Sequence, residues 1–362
     1  MKAIVWNGPE EMAVEEVPEP TVEPGTVIVR PEAVGICGSE VEGYLGKMGN
    51  RTPPLVMGHE FAGRVTEVGE GVSEDLVGRE VAVNPLSSDG TCRLCRAGYT
   101  NLCPNRKLVG IHSPGGFAEY ALVPAQNVYP LPEGTGARTG ALAEPLANGV
   151  HAARLGLAET WVEHAVVIGA GTIGLMCLQA AVLEGIPDVS AVEPHEARRE
   201  QALGLGAHAA YASGEEAKAA LEEPTEGLGA DLVIDAVGAE VTRRMALELL
   251  RPGGRAVFPE SVPSCTALLP RRREEDFDPP RGAPDELSEG VRPLLERQDR
   301  RQAPDPRPPL DEPLDGLRVV LRREGVGAKQ VELAAHDAVK AQSGLVVVEA
   351  DEDGASPRAQ QL

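Results

Sequence analysis

The pattern of apolar and polar positions changes twice along the chain. Up to about residue 147, short β-type runs such as Thr26-Val27-Ile28-Val29 and Gly78-Arg79-Glu80-Val81-Ala82-Val83 stand between frequent Gly and Pro turn signals. That texture predicts a compact, mostly β domain. From Glu163 it gives way to an alternation of strand and helix: an apolar strand at 164–168, a glycine turn, then an Ala/Leu-rich helix over 172–183. Further strands are expected at 189–192, 231–235 and 255–258, with a helix at 196–205. Strand, turn and helix in succession build a doubly wound parallel sheet, so the fold class is α/β, with a first domain over 1–147 and a second over 148–258. Residues 259–313 then hold 12 of the chain's 31 prolines, nine arginines and 13 acids with little apolar periodicity. Such a composition buries too little surface to fold, and it is read as an atypical, disordered segment. Order is expected to resume within 314–350 and to fade in an acidic tail over 351–362.

Length agrees with two domains, since 362 residues exceed what one hydrophobic core usually holds. No apolar run approaches the roughly 18 to 20 residues of a membrane span. The start, Met1-Lys2-Ala3-Ile4-Val5-Trp6, meets polar and acidic residues without a long apolar stretch or small-residue cleavage site; a cytoplasmic location is expected. Net charge is −22, from 34 basic and 56 acidic residues. Such a field repels phosphate backbones, so neither nucleic acid nor membrane is expected as a partner.

Three of the six cysteines, Cys92, Cys95 and Cys103, fall within twelve residues. Clustered thiols in a reducing compartment point to metal rather than disulfides. Asp89 precedes Cys92 at the interval that separates Cys92 from Cys95, and three thiolates with one carboxylate close a tetrahedral, structural zinc shell.

Gly169-Ala170-Gly171-Thr172-Ile173-Gly174 is a G-x-G-x-x-G run that follows an apolar strand and opens a helix. Gly169 makes the tight turn, Gly171 admits a pyrophosphate, and Gly174 lets helix and strand pack, while Thr172 and Ile173 open the helix whose N-terminal amides face the anion. Glu193 ends the next strand, where a carboxylate accepts from both ribose hydroxyls and repels a 2′-phosphate. NAD is therefore favoured over NADP, although Arg198 and Arg199 soften the preference.

A second set, Cys37, His59, Glu60 and Glu144, is dispersed. Taken singly, Cys37 reads as a small buried thiol, His59 as a hydrogen-bonded core histidine and each glutamate as a solvated charge.

Six blocks in order nevertheless resemble the zinc-containing medium-chain alcohol dehydrogenases of the sorbitol, butanediol and threonine dehydrogenase type. They are Gly35-Ile36-Cys37-Gly38-Ser39, Gly58-His59-Glu60-Phe61-Ala62-Gly63, the Cys92, Cys95, Cys103 cluster, Gly115-Gly116-Phe117-Ala118-Glu119-Tyr120, Glu144-Pro145-Leu146, and the Gly169 to Gly174 turn. The resemblance implies a GroES-like catalytic domain to which 314–350 returns, a Rossmann domain at 148–258, one catalytic and one structural zinc, and a homo-oligomer. By position, Cys37, His59 and Glu144 become ligands of the catalytic zinc, with Glu60 binding directly or exchanging with water. Ser39 becomes the hydroxyl that takes the substrate proton, and Glu42 stands where many relatives end the relay with histidine. Val237 joins the cofactor residues.

The implied activity is hydride transfer between a small secondary alcohol, diol or polyol and NAD(P), and the pocket residues Tyr44, Leu45, Lys47 and Asn50 after the Cys37 block form a polar, glycine-rich lining that suits small diols or polyols better than long apolar alcohols. The departures at Asp89, Glu42 and 259–313 support a second reading, a non-catalytic or impaired zinc- and NAD-binding paralogue.

Overall fold

The structure, a computed structural model, describes residues 1–158 and 161–259. The expectations for residues 260–313, 314–350 and 351–362 lie outside the described residues. The chain divides into two compact units, Met1–Glu144 and one that begins at Pro145. Among the described residues no helix is long and apolar enough to cross a membrane.

The first unit is built from β1 (Lys2–Gly8), β2 (Glu11–Glu16), β3 (Thr26–Gly35), α1 (Gly38–Tyr44), β4 (Leu55–Val56), β5 (Glu60–Val68), β6 (Glu80–Val83), β7 (Leu86–Ser87), α2 (Arg93–Arg96), β8 (Lys107–Leu108), β9 (Ala121–Pro124), β10 (Val128–Pro130) and α3 (Gly136–Gly140). Its main sheet is antiparallel in the order β10-β6-β5-β3-β9, beside a smaller β2-β1-β4 sheet and a β7-β8 ribbon. Val27 and Val29 on β3, and Val81 and Val83 on β6, are two residues apart and enter one buried cluster with Phe61, Val65 and Trp6. The period of two places them on the same face. The β3–β5 register pairs Gly35 with Glu60 and Val34 with Phe61. The end of β3 therefore lies against the start of β5, which brings together the two segments that carry Cys37 and His59.

The second unit takes all but the first two residues of α4 (Ala143–Leu157), then β11 (His164–Ile168), α5 (Thr172–Leu183), β12 (Asp188–Val192), α6 (Glu196–Gly204), β13 (Ala209–Tyr211), α7 (Gly214–Leu221), β14 (Ala230–Asp235), α8 (Glu240–Leu249) and β15 (Leu250–Val257). Its sheet is parallel throughout in the order β13-β12-β11-β14-β15. Continuous apolar strands follow from burial on both faces. Ala165 and Val167 of β11 enter one core with Leu232 and Ile234, whereas Val166 and Ile168 enter the opposite core with Val233.

The sheet confirms the doubly wound expectation and adds elements the pattern missed. β13 is three half-buried residues, too short to show a period, and α7 and α8 were not anticipated. β15 starts at Leu250, not at 255, because the register jumps from Ala230↔Leu250 to Leu232↔Arg255. Pro252-Gly253-Gly254 forms an irregularity inside the strand.

Candidate metal and cofactor sites

The ligand atoms of Cys37, His59 and Glu60 all lie within 4.8 Å of one another. Cys37 stands just before α1, and His59 and Glu60 stand at the start of β5, so the strand register described above makes the cluster. His59 is 6 % and Glu60 3 % exposed, a degree of burial that polar groups tolerate only with partners. Thiolate, imidazole and carboxylate together are a zinc donor set. Gly35 leaves room for this arrangement, since a Cβ there would run into Glu60 Oε2.

Sequence reasoning missed the residue that organises the centre, Glu40. It lies in the first turn of α1 and is 2 % exposed. Oε2 accepts from the Cys37 backbone N–H at 2.7 Å, as a third helical residue does in a capping box. Oε1 accepts from the N–H groups of Gly58 and His59 at 3.1 and 3.2 Å and meets His59 Nδ1 at 2.5 Å. A carboxylate on Nδ1 sets the tautomer and leaves Nε2 to face a metal. The legible signal was a Glu three positions after Cys37; cysteine is not a usual N-cap, which hid it.

Burial would raise the Glu40 pKa, but the His59 charge and the backbone donors outweigh it and hold the carboxyl below its ordinary value. Burial would lower His59, yet Glu40 and Cys37 hold it well above 6.5. Burial pushes the Cys37 thiol up. Burial and then the Glu144 charge push Glu60 up to about 8. Glu144, in the first turn of α4, thus acts on Glu60 but is not one of the three groups clustered within 4.8 Å. Ser39 Oγ accepts from Arg51 Nη2 at 3.2 Å. Glu42 is 48 % exposed in its side chain and pairs with Lys47 at 3.6 Å.

Asp89, Cys92, Cys95 and Cys103 form a second cluster with ligand atoms within 4.8 Å of one another. A tetrahedron with zinc–sulfur bonds of about 2.3 Å has edges of roughly 3.8 Å, so the donor set fits that ion. Asp89 is already engaged: Oδ1 accepts from the Thr91 and Cys92 N–H groups at 2.8 and 2.9 Å, and Oδ2 from Asn105 at 2.6 Å. The Cys92 N–H contact leads the donors that hold its carboxyl below the usual range. Cys92 Sγ accepts from the Cys95 N–H at 3.3 Å, which lowers the Cys92 thiol, while burial and the shared hydrogen push Cys95 up to about 11.

In the second unit, the glycine turn joins β11 to α5. Gly169 has φ +88°, a conformation that favours glycine, and a Cβ at Gly174 would run into the Gly169 carbonyl oxygen. A Cβ at Gly171 would meet nothing within 4 Å, and α5 has no side-chain cap. Open space before bare helix amides at Thr172 and Ile173 is a cradle for a pyrophosphate. The turn sits where the strand order reverses, and Val237, after β14, packs against Gly169. Asp235 holds that second turn by accepting from the Val237 and Gly238 N–H groups and from the Thr242 hydroxyl at 3.0 to 3.1 Å.

Glu193 is 4 % exposed. Its Oε2 accepts from the Ala170 N–H and its Oε1 from the His195 N–H, each at 3.0 Å, so the carboxylate also staples the glycine turn. Each oxygen keeps a second lone pair for a ribose hydroxyl. Arg198 approaches Glu193 at 4.0 Å, while Arg199 donates to the Glu193 and Pro194 carbonyls.

Residues 23–133 match the family model of the alcohol dehydrogenase GroES-like domain, and residues 172–259 match that of zinc-binding dehydrogenases. The chain is 34 % identical over 271 residues to (R,R)-butanediol dehydrogenase of Bacillus subtilis, covering 71 % of this chain and 77 % of that one. It is similar to the crystal structure of a zinc-binding dehydrogenase from Sinorhizobium meliloti bound to NADP, with TM-score 0.66, 33 % identity, and 72 % and 77 % of the two chains covered. An alcohol dehydrogenase of Escherichia coli CFT073 complexed with NADH matches with TM-score 0.65 and 32 % identity, covering 73 % and 80 %.

Proposed function

We propose, on the premise that the chain belongs to the zinc-containing medium-chain alcohol dehydrogenase family, that it transfers hydride between a small secondary alcohol, diol or polyol and a nicotinamide dinucleotide. The observation that carries the reading is the convergence of the ligand atoms of Cys37, His59 and Glu60 within 4.8 Å of one another. Those three residues, with Glu144 as the acidic neighbour, hold a catalytic zinc. When bound, the ion supplies the positive charge that brings a hydroxyl pKa from about 15.7 down toward neutrality. Glu40 holds His59 so that Nε2 faces the ion, and Ser39 takes the substrate proton and passes it outward, with Glu42 on the exposed side. The open Gly171 turn binds the pyrophosphate, and Glu193 favours NAD. The non-catalytic reading is not favoured, since the donor groups and the glycine turn are all assembled.

Metal content paired with reduction of NAD and NADP tests the reading, using butanediol, sorbitol, threonine and a long-chain primary alcohol before and after chelation. Chelator-sensitive turnover with NAD and a small secondary alcohol is expected. No reduction of either nucleotide by the metal-loaded protein would sink the enzyme reading.

Asp89 and Cys92, Cys95 and Cys103 hold the second, structural zinc in this proposal. Asp89→Ala is expected to weaken zinc retention by at least about tenfold to a hundredfold, and Asp89→Cys to strengthen it. Dialysis against graded chelator, read as zinc per chain, measures both. Equal retention in all three proteins would remove Asp89 from the ligand set.

A further inference from the structure

We propose that Arg51 is a positioning residue for the proton step: its guanidinium fixes the Ser39 hydroxyl as an acceptor on the substrate side and a donor toward solvent. The inference rests on the dehydrogenase reading above and adds to it a residue that acts through Ser39.

Arg51 lies between α1 and β4 and is 5 % exposed. Its Nη2 donates to Ser39 Oγ at 3.2 Å and its Nη1 to Asn50 Oδ1 at 3.3 Å. Ser39 is half-buried in the first turn of α1, two residues after Cys37. The Arg51 side chain reaches it over α1 because Gly43 leaves the space: a Cβ there would stand 2.8 Å from Arg51 Cδ and 2.9 Å from Nε. That contact covers Nε, which is buried and has no hydrogen-bond partner. A buried donor left without an acceptor lowers stability. The guanidinium is therefore held on Ser39 against a penalty, the reverse of what a side chain kept only for packing does.

An arginine only donates, whereas a hydroxyl has one hydrogen and two lone pairs. Once Nη2 occupies one lone pair, the Ser39 hydrogen cannot point at Arg51, and one lone pair remains for an incoming hydroxyl. The direction of the relay is thus set before the substrate arrives. In alcohol oxidation the Ser39 proton passes to water, the substrate hydroxyl proton takes its place on Oγ, and the carbinol carbon gives its hydride to the nicotinamide. A fixed cationic donor favours the negative charge that Oγ carries as its own proton leaves. Burial leads in lowering the Arg51 pKa, against Glu40 and then Cys37, yet an arginine stays charged at neutral pH.

Arg51→Met, Arg51→Lys and Gly43→Ala are compared with the unmodified, metal-loaded protein in butanediol oxidation by NAD. Arg51→Met is expected to lower kcat by about tenfold to a hundredfold, the range for a charged hydrogen bond, with KM for butanediol and NAD changed less than about twofold. Its slowing in D2O is expected to grow and its sensitivity to deuterium on the carbinol carbon to shrink, since the proton step then limits turnover. Arg51→Lys keeps the charge and a donor and is expected to restore part of kcat. Gly43→Ala keeps Arg51 but crowds it off Ser39, and the same loss is expected. In a Ser39→Ala background Arg51→Met is expected to have no further effect. Zinc per chain, read without turnover, is expected to be the same in Arg51→Met as in the unmodified protein.

Full kcat in Arg51→Met overturns the proposal, and so does an undiminished effect of that substitution in the Ser39→Ala background. A fall in kcat matched by an equal fall in zinc content also overturns it, by making Arg51 a prop of the metal centre; each of these results leaves the dehydrogenase reading standing. Failure of the unmodified protein to reduce NAD or NADP with any alcohol removes that reading, and the relay role of Arg51 falls with it.

Discussion

Zinc uptake at the Cys37 centre at pH 7 is expected to release about two to three protons, and the affinity there to rise roughly a hundred- to thousandfold between pH 6 and pH 7. Three groups hold the protons. Burial keeps Cys37 a thiol. Burial would lower His59, but Glu40 and then Cys37 hold it well above its ordinary value, so metal uptake at the ring works against a bound proton while Nδ1 stays against Glu40. Glu60, pushed up to about 8 by burial and by Glu144, is protonated at neutral pH.

Each proton that must leave adds one logarithmic unit of affinity per unit of pH, and the Glu60 contribution ends above its pKa. Calorimetry in two buffers of different ionisation heat counts the protons, and Glu60→Gln is expected to release one fewer. An unchanged count would mean that Glu60 is ionised before the metal arrives. The metal-free protein shows the same groups through stability. Between pH 4.5, the ordinary value for Glu60, and about 8, the folded chain holds a proton that the unfolded chain has lost. Stability therefore falls as pH rises through that window, and His59 adds a loss in the same direction as pH passes above 6.5 toward its raised folded value. Thermal melts of the chelated protein across this range measure the slope.

Glu40→Ala is expected to destabilise the first unit by about 3–5 kcal/mol, the usual cost of removing one partner of a buried ion pair. Four donors lose their acceptor: the N–H groups of Cys37, Gly58 and His59, and His59 Nδ1. For a domain of this size the loss corresponds to a fall of roughly 10 °C in Tm. Zinc affinity is expected to drop by about tenfold to a hundredfold as well, because the His59 ring loses the contact that sets its tautomer and angle. Glu40→Gln keeps the volume but turns an amide NH2 toward backbone donors, so an intermediate loss is expected. Denaturant titration and zinc competition read the two effects separately. A loss below about 1 kcal/mol in Glu40→Ala would show that water replaces the carboxylate, and would remove it as the organiser of the centre.

What was legible along the chain, and what was not, follows from the range of the interactions involved. The Gly169 turn could be read because each of its parts is local: an apolar β11 buried on both faces, glycines where a Cβ collides or a pyrophosphate enters, and a helix directly after. The Cys92, Cys95 and Cys103 cluster was legible for the same reason, as its ligands sit on one short loop. β13 and the irregular start of β15 were not, because three residues carry no period and a Pro-Gly-Gly run inside a strand imitates a turn. Glu40 was passed over because a glutamate near a helix start is ordinary, and only its burial against His59 makes it exceptional.

The amino-acid sequence by itself determined the change from a β-rich to a strand-and-helix texture, the apolar central strands of the parallel sheet, the glycine turn and the thiol cluster, since covalent spacing and side-chain period act over a few residues. Only the tertiary structure decided that Cys37 and His59 share a centre, that Glu40 lies under it, and that Arg51 reaches Ser39 with one donor unfilled. Those outcomes depend on pairing Gly35 with Glu60 across two strands. Burial then turns ordinary charged residues into groups that must find partners, a requirement that no local spacing expresses.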